Sequence, residues 1–567
     1  MSPAERLLPW AGALLGLLWF LAVGGGMTLD PTDLDWLGGG DLAQHTLGWL
    51  HFRDVPWSFP LGRTPHILWP LPMTVGFSDS NPWVSVLLKP FSPWLPRDFQ
   101  FIGPWLASCF MLQGWVGTRL MGLLTPHPAQ RLLGAVLMVA SPVLLYRAGH
   151  DTLCAHWMIT ALLYLNLRPR EDARAARRAL GWAFVINAIA AGVHPYLEVM
   201  VFALTLALLA STALEKHLTP RAAVGALAGL GVLVAGLFLL FGYVGMGVSS
   251  SADGFGHYSA DTLSLLNPSD WTRVLPKLRQ GAGQYEGFGY LGTGVLALAV
   301  VTLAWKPSQW WPRVVAQVKA QGPLAVAILL LTLLAFSSVI TVAGNTVLSM
   351  RTVLGPLTPL FAPFRSSGRF IWVLHYGVMT GILALALWRW RHRPALATGL
   401  LVGAALLQTL DTPSLWHNGH FQGAAWPRLQ AAEWERLDPS YQNIVLYPPL
   451  IHASQTACVR NTFPEDSYVR FGDLAYRKHL RSNSGYSARL HEPSVARVCE
   501  ALKADVEEGR LAEDTVYVVD KPQWALFDRM GERVTCGELD GYRICVAAKQ
   551  GGFRDALARQ ATAAPLE

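Results

Sequence analysis

The sequence predicts an α-helical polytopic membrane protein of about 11 transmembrane helices, followed by a small C-terminal α/β domain outside the membrane. Three observations predict it. Hydrophobic residues make up 52% of the 567 and charged residues only 15%, proportions that fit a membrane protein and exclude an ordinary soluble enzyme. Apolar runs recur from Leu7 to Leu410 with polar breaks between them, and the cations gather in alternate breaks. After Asp411 the chain becomes charged, with short strand-like runs separated by helical ones.

A bilayer takes roughly 20 apolar residues per helix, fewer where a segment is partly buried in protein. The predicted spans are residues 7–27, 101–123, 132–146, 153–167, 180–193, 196–212, 222–243, 291–305, 323–342, 370–387 and 395–410. A shorter interfacial piece falls at 83–91. The N-terminal segment lacks a small-residue cleavage site after a short apolar region, so it reads as an anchor and not a cleaved signal.

With the N-terminus inside, the inner loops are those near Arg131, at 168–178, 216–221, 306–319 and 389–393, and all carry cations. That is the positive-inside pattern. It accounts for the formal net charge of +7 without a nucleic-acid partner, and no stretch resembles a nucleic-acid-binding module. The domain organisation is then a transmembrane domain over 1–411, with external loops 28–100, 244–290 and 343–369, and an external domain over 412–567. No internal repeat is visible, which weighs against an inverted-repeat transporter.

The tail reads as strands at 443–447, 515–519 and 542–547, with a helix over 494–508. Cys109 and Cys154 fall in apolar segments, whereas Cys458, Cys499, Cys536 and Cys545 fall in the tail. An even number of cysteines outside the membrane points to disulfides. Cys536 and Cys545 flank CGELDGYRIC, in which Asp540-Gly541 is a hairpin signal. A bridge across that hairpin leaves Cys458 and Cys499 as the other pair.

The stretch with most chemistry is GGGDLAQHTLGWLHFRDVPWSFPLG, residues 38–62. Asp41 reads as the N-cap of a short helix ending near Arg53, with His45 on the same face. The pair is either a functional group at the lipid–water boundary or an N-cap aspartate beside a solvated histidine. Other outer positions add Asp79 in FSDSNPW, then His150, Asp151 and His156 in GHDTLCAHW. His194 and Glu198 follow in HPYLE, then Tyr258 and Asp261. Tyr285 and Glu286 stand in GQYEGFGY, and Arg365 and Arg369 in FRSSGRF. Ionisable groups at the edge of a bilayer are costly and are functional candidates for that reason. His150 and His156 are six apart and do not share a helical face, which argues against a two-histidine metal site. Arg365 and Arg369 would share a face if helical, and two guanidiniums there suit a phosphate, or ordinary lipid headgroups. His194-Pro195 equally suits a plain helical cap. No phosphate loop, dinucleotide fingerprint or HExxH is present.

The blocks GGDLAQHTLGWLHFR, FSDSNPW, YRAGHDTLCAHW, HPYLEVMVF, GQYEGFGYLG and FRSSGRFIW resemble those of an uncharacterised bacterial polytopic membrane family allied to the GT-C superfamily of glycosyltransferases. The resemblance covers roughly residues 5–545. It implies transfer of a sugar from a polyprenyl-phosphate-linked donor to a glycan, lipid or protein acceptor. It places the enzyme in the bacterial inner membrane, with a cytoplasmic N-terminus and a periplasmic C-terminal domain. It gives the base to Asp41, with Asp79 second, and the lipid phosphate to Arg365 and Arg369. His45, His150, Asp151, His156, His194, Glu198, Tyr285 and Glu286 would bind donor or acceptor. The resemblance leaves that first-loop carboxylate role open between base, acceptor binding and metal binding and assigns no definite metal site; Asp41 and Asp79 are the carboxylates that would hold a divalent cation, Mg or Mn, where one is used. However, the chain lacks a plain Asp-x-Asp at Asp41; Asp33 and Asp35 have that spacing closer to the span end. The runner-up is a transporter or non-catalytic lipid-glycan handling protein. It would need its polar groups near the midplane, and here they cluster at the outer ends.

Overall fold

The computed structural model describes residues 3–246, 254–304, 306–415, 421–452, 454 and 456–563. Part of the 244–290 loop and the end of the 291–305 span lie outside these residues. The chain divides into two compact units. One comprises residues 1–31, 101–237 and 251–422, the other 32–100, 238–250 and 423–567.

A helix stands on each of the eleven apolar runs. Among the described residues, five are long and apolar enough to cross a membrane: Glu5–Ala22, Pro128–Gly149, Pro195–Leu214, Pro220–Phe241 and Ser367–Arg389. A sixth is reached if Pro307–Ala320 and Gly322–Phe336, bent by 92° at their junction, count as one.

In the first unit the helices Pro3–Ala22 and Ile102–Met121 pack backbone to backbone. A Cβ on Gly114 would fall 2.1 Å from the Gly12 carbonyl oxygen, so only glycine allows the approach. Elsewhere Leu120, Met138, Leu291, Val295, Met379, Leu383 and Leu401 form one apolar core, supplied by five of the runs.

Three predicted elements change here. The 323–342 run is helical only to Phe336; Ser337 takes φ 64°, and Val339–Val342 turns into a hairpin with Asn345–Ser349. The β-branched V-I-T-V favours a strand over a further helical turn. The 153–167 run begins as a short 3-10 turn, Asp151–Cys154, and becomes α-helical at Trp157. The basic 306–319 loop is itself the helix Pro307–Ala320, opened by proline in its first turn.

The second unit holds a five-stranded sheet in the order Arg481–Ser482, Asn443–Tyr447, Thr515–Val519, Tyr542–Val546, Thr535–Leu539. The first three strands are parallel and the last two antiparallel. Alternate residues serve two cores. Ile444, Leu446, Val516, Val518 and Ile544 pack on Phe471, Phe553 and Leu557, while Val445, Tyr447, Tyr517 and Val519 pack on Val506, Phe527 and Met530. Burial on both faces explains why these strands read as unbroken apolar runs. Asp540 and Gly541 both take positive φ in the last hairpin, and disulfides join Cys536 to Cys545 and Cys458 to Cys499.

The grouping differs from a boundary at 411/412, because residues 32–100 belong with the tail. Gly38 N–H donates to the Ala424 carbonyl at 2.8 Å and Ser482 N–H to that of His66 at 2.8 Å. His51 Nε2 bonds the Gly472 carbonyl at 2.9 Å. Ile67, Leu71 and Phe77 share a core with Ile451, Val495 and Cys499.

Candidate functional site

The first unit gathers its charged groups where four chain reversals meet. Arg147 stands in a 3-10 turn after the helix Pro142–Tyr146. Glu286 lies in the turn Gln284–Gly287, and Arg369 in the turn Ser367–Phe370, which runs into the helix Ile371–Arg389. His194 caps the helix Pro195–Leu214. Glycine makes two of these turns fit together. A Cβ on Gly368 would lie 2.8 Å from the backbone of Gly287, and one on Gly287 would lie 2.4 Å from Ala260 Cα. Gly368 N–H donates to the Tyr258 carbonyl at 2.9 Å.

Glu286 is the hub. Arg369 donates to it through two nitrogens, Nε to Oε2 at 2.9 Å and Nη2 to Oε1 at 2.8 Å. Arg147 Nη2 donates to Oε2 at 2.9 Å and to the Glu286 carbonyl at 3.1 Å. All three side chains are buried. Burial alone would push the Glu286 carboxyl up; the Arg369 and Arg147 charges outweigh it and hold the group below the usual carboxylate range. Two guanidiniums against one carboxylate leave one positive charge in excess. Arg147 Nε is buried without a hydrogen-bond partner among the described residues, a donor still to be satisfied.

Aromatic rings wall the cluster. Arg369 Cζ lies 4.8 Å from the Tyr196 ring centroid, and Arg147 Cζ 4.9 Å from that of Trp372. Tyr196 OH accepts the Ser366 N–H at 2.8 Å. His194 Nδ1 accepts the Tyr196 N–H at 3.1 Å, which leaves Nε2 as the protonated nitrogen of a neutral ring. The His194 ring lies 5.5 Å from that of His150. His150, His194, Glu286 and Arg369 thus belong to one connected set. Glu198, one turn beyond His194, is buried with no hydrogen-bond partner for either carboxylate oxygen among the described residues.

Other candidates stand apart from the hub. His156 bonds the Tyr376 hydroxyl at 3.0 Å under the Trp372 ring. Asp151 is fully buried, and its carbonyl accepts the Trp105 indole N–H at 2.9 Å. Tyr285, beside Glu286, is 45% exposed. Asp261 accepts from Thr341 Oγ1 and from the N–H groups of Leu263, Ala343 and Gly344, so it ties its loop to the hairpin. Arg365 and Arg369 do not share one helix face. Ser366, at ψ 56°, breaks the chain between two separate 3-10 turns. Arg365 is half-buried and makes no ion pair or hydrogen bond among the described residues.

In the second unit Asp41 is exposed and is not the N-cap. Gly39 caps the helix Gly40–Asp54 in extended conformation, and no side-chain bond closes its first turn. The glycine run lets the helix begin earlier than Asp41, which leaves that carboxylate at the second helical position. His45 is buried, and Asp79 holds φ 55°. A His45 nitrogen and an Asp79 oxygen lie within 4.8 Å of each other, so these two, and not Asp41 with Asp79, are the donors seen together there.

Sequence reasoning missed Arg147, Tyr196 and Trp372. Arg147 had a signal: it is a cation at the cation-poor end of its span. The aromatic residues had none, since their value comes from lying beside the guanidiniums.

A family model described as "Domain of unknown function (DUF6311)" matches residues 13–413, and one described as "DUF6311 C-terminal domain" matches residues 433–547. Among solved structures, the chain is similar to ArnT from Cupriavidus metallidurans, in a crystal structure bound to undecaprenyl phosphate. The TM-score is 0.39 at 12% identity, covering 97% of this chain and 100% of that one. No curated protein matches the chain.

Proposed function

The chain belongs to the DUF6311 family, and we propose that it is a GT-C-type membrane glycosyltransferase that takes a sugar from a polyprenyl-phosphate-linked donor at the periplasmic face of the bacterial inner membrane. One observation carries this reading: a buried cluster of two arginines on one carboxylate, placed at the ends of apolar helices. Its excess positive charge and its unsatisfied Arg147 Nε suit an anionic group at that depth. A lipid phosphate is the anion that a membrane delivers there.

In this reading Arg369 and Arg147, oriented by Glu286, stabilise the charge that grows on the departing lipid phosphate as the sugar–oxygen bond breaks. Arg365 supplies a further guanidinium. His150, His194 and Glu198 orient the sugar or the acceptor. Asp41 takes the proton from the acceptor hydroxyl as that oxygen forms the new bond to the sugar, a general-base role. A divalent cation, where one is used, would be held by Asp79 and His45. Against the transport reading, Glu198 lies in the first turn of the helix Pro195–Leu214 and not at its middle.

The test is release of polyprenyl phosphate from a polyprenyl-phosphate sugar by the purified protein in lipid, with an acceptor pool extracted from the native envelope. Asp41→Asn keeps shape and removes the base, and is expected to lower turnover by roughly a hundredfold or more. Full turnover by Asp41→Asn would remove its assigned role. No release by the wild type from any sugar–lipid tested would overturn the enzyme reading.

A further inference from the structure

The helix Ile371–Arg389 has charged groups at both ends. At about 1.5 Å per residue its 19 residues run about 28 Å, close to the thickness of a bilayer's apolar core. Arg369 stands at one end. At the other, a cleft of about 510 Å³ opens between the turn into the helix Pro394–Leu410 and the helix Pro307–Ala320. Lys306, Arg313, Arg389, Arg391 and Arg393 line it, and none of its lining residues is acidic.

Two features set this cleft apart from the cations that topology alone places on one side. First, Arg313 and Arg391 share one indole. Their Cζ atoms lie 4.3 Å and 5.1 Å from the Trp388 ring centroid. Two exposed guanidiniums held on one ring, with no carboxylate in the lining, concentrate positive charge that an anion at this surface would offset. Second, the helix Pro307–Ala320 is built to lie along a membrane surface. Trp310, Trp311, Val314, Val315 and Val318 fall on one side at helical spacing. The 92° bend into Gly322–Phe336 lays that side parallel to the bilayer if Gly322–Phe336 crosses it. Its tryptophans belong at headgroup depth.

We infer that this cleft binds the phosphate of an anionic glycerophospholipid headgroup, in the leaflet opposite the Glu286 cluster. Basic pockets beside membrane helices recognise such headgroups. The neighbouring apolar helix face selects a lipid over a free phosphate ion, because it offers the acyl chains a surface beside the charge.

The test uses the full-length protein, delipidated in detergent and examined by native mass spectrometry. It is titrated with phosphatidylglycerol, with phosphatidylcholine and, separately, with sodium phosphate. Phosphatidylglycerol should be retained at least about fivefold more tightly than phosphatidylcholine, and Arg313→Gln or Arg391→Gln should each weaken it about fivefold, the scale of one basic side chain at an anionic surface. Equal retention of the two lipids by the wild type overturns the inference. So does phosphatidylglycerol binding unchanged in the Arg313→Gln/Arg391→Gln double variant. Displacement of phosphatidylglycerol by sodium phosphate at equal concentration overturns the choice of a lipid over an ion. If the double variant does not fold, tryptophan quenching of the wild type by brominated phosphatidylglycerol decides. Quenching no greater than that by brominated phosphatidylcholine counts against the site.

Discussion

Arg369 holds Glu286 by two parallel bonds of 2.9 Å and 2.8 Å, and the carboxylate they fix also takes Arg147 at 2.9 Å. The arrangement is a buried ion triad in which the acid organises the two bases. Such a triad adds little over an apolar core when whole, but is costly to break. Glu286→Gln keeps the volume and removes the charge, leaving two buried guanidiniums opposed only by an amide. The expected loss is about 3 to 5 kcal/mol, read as a lowered midpoint in thermal unfolding of the purified protein. The sign with pH follows from the depressed carboxyl. Its contribution is whole above the unfolded carboxylate range, about pH 4.3, and is lost as pH falls through the lower folded value. Wild type should therefore lose stability in acid below about pH 4, and Glu286→Gln should lack that part of the loss. Equal midpoints at pH 7 would contradict the triad.

What the sequence revealed of this cluster, and what it hid, has a physical cause. Glu286 and Arg369 were legible because an ionised group beside an apolar run has few innocent explanations. The helices were legible from their long apolar runs, and so were the strands Asn443–Tyr447 and Thr515–Val519, whose residues are all buried. Asp41 as N-cap failed because Gly39 and Gly40 begin the helix before it, which propensity alone does not reveal. The union of residues 32–100 with the tail was hidden by distance along the chain. His51 and Gly472, joined at 2.9 Å, are 421 residues apart.

That long-range bond gives a second pH signature. His51 is buried, and burial pushes its imidazole down to about 4, against the partial help of the Gly472 carbonyl. The folded state therefore stays neutral while the unfolded chain takes up a proton near pH 6.5. The contribution is whole above that value and falls away as pH drops towards about 4, by roughly 3.5 kcal/mol in all at about 1.4 kcal/mol per unit. Unfolding midpoints measured across this window should decline, and His51→Gln should flatten the decline. A slope unchanged in that variant would show that another group titrates.

The two disulfides should differ in worth because they close loops of different length. Cys458 and Cys499 are 41 residues apart, Cys536 and Cys545 nine. Chain entropy gives about 4 kcal/mol for the first and about 2.5 kcal/mol for the second. Paired serine substitutions should lower the unfolding midpoint more at Cys458/Cys499 than at Cys536/Cys545. The reverse order, or free thiols at all four positions by mass spectrometry without reductant, would contradict the expectation.

The two arginines of FRSSGRF should separate binding from stability. Arg369 is spent on Glu286, whereas Arg365 is half-buried and has no partner among the described residues. If the cluster receives a lipid phosphate, Arg365 is the guanidinium whose bonds are made only when the ligand arrives. Arg365→Gln should then weaken retention of a polyprenyl phosphate by about tenfold to a hundredfold, the scale of a hydrogen bond to a charged group. Stability should move by no more than about 0.5 kcal/mol, as for a residue without fixed contacts. Arg369→Gln should do both: it removes a ligand donor and strands Glu286 with Arg147 alone. Measured side by side, binding and unfolding midpoint should fall together for Arg369→Gln and come apart for Arg365→Gln. Retention by Arg365→Gln at the wild-type level would place the phosphate elsewhere. An equal loss of stability in both variants would mean that Arg365 is a structural residue, and the lipid-phosphate reading would lose an arginine that makes no ion pair or hydrogen bond among the described residues.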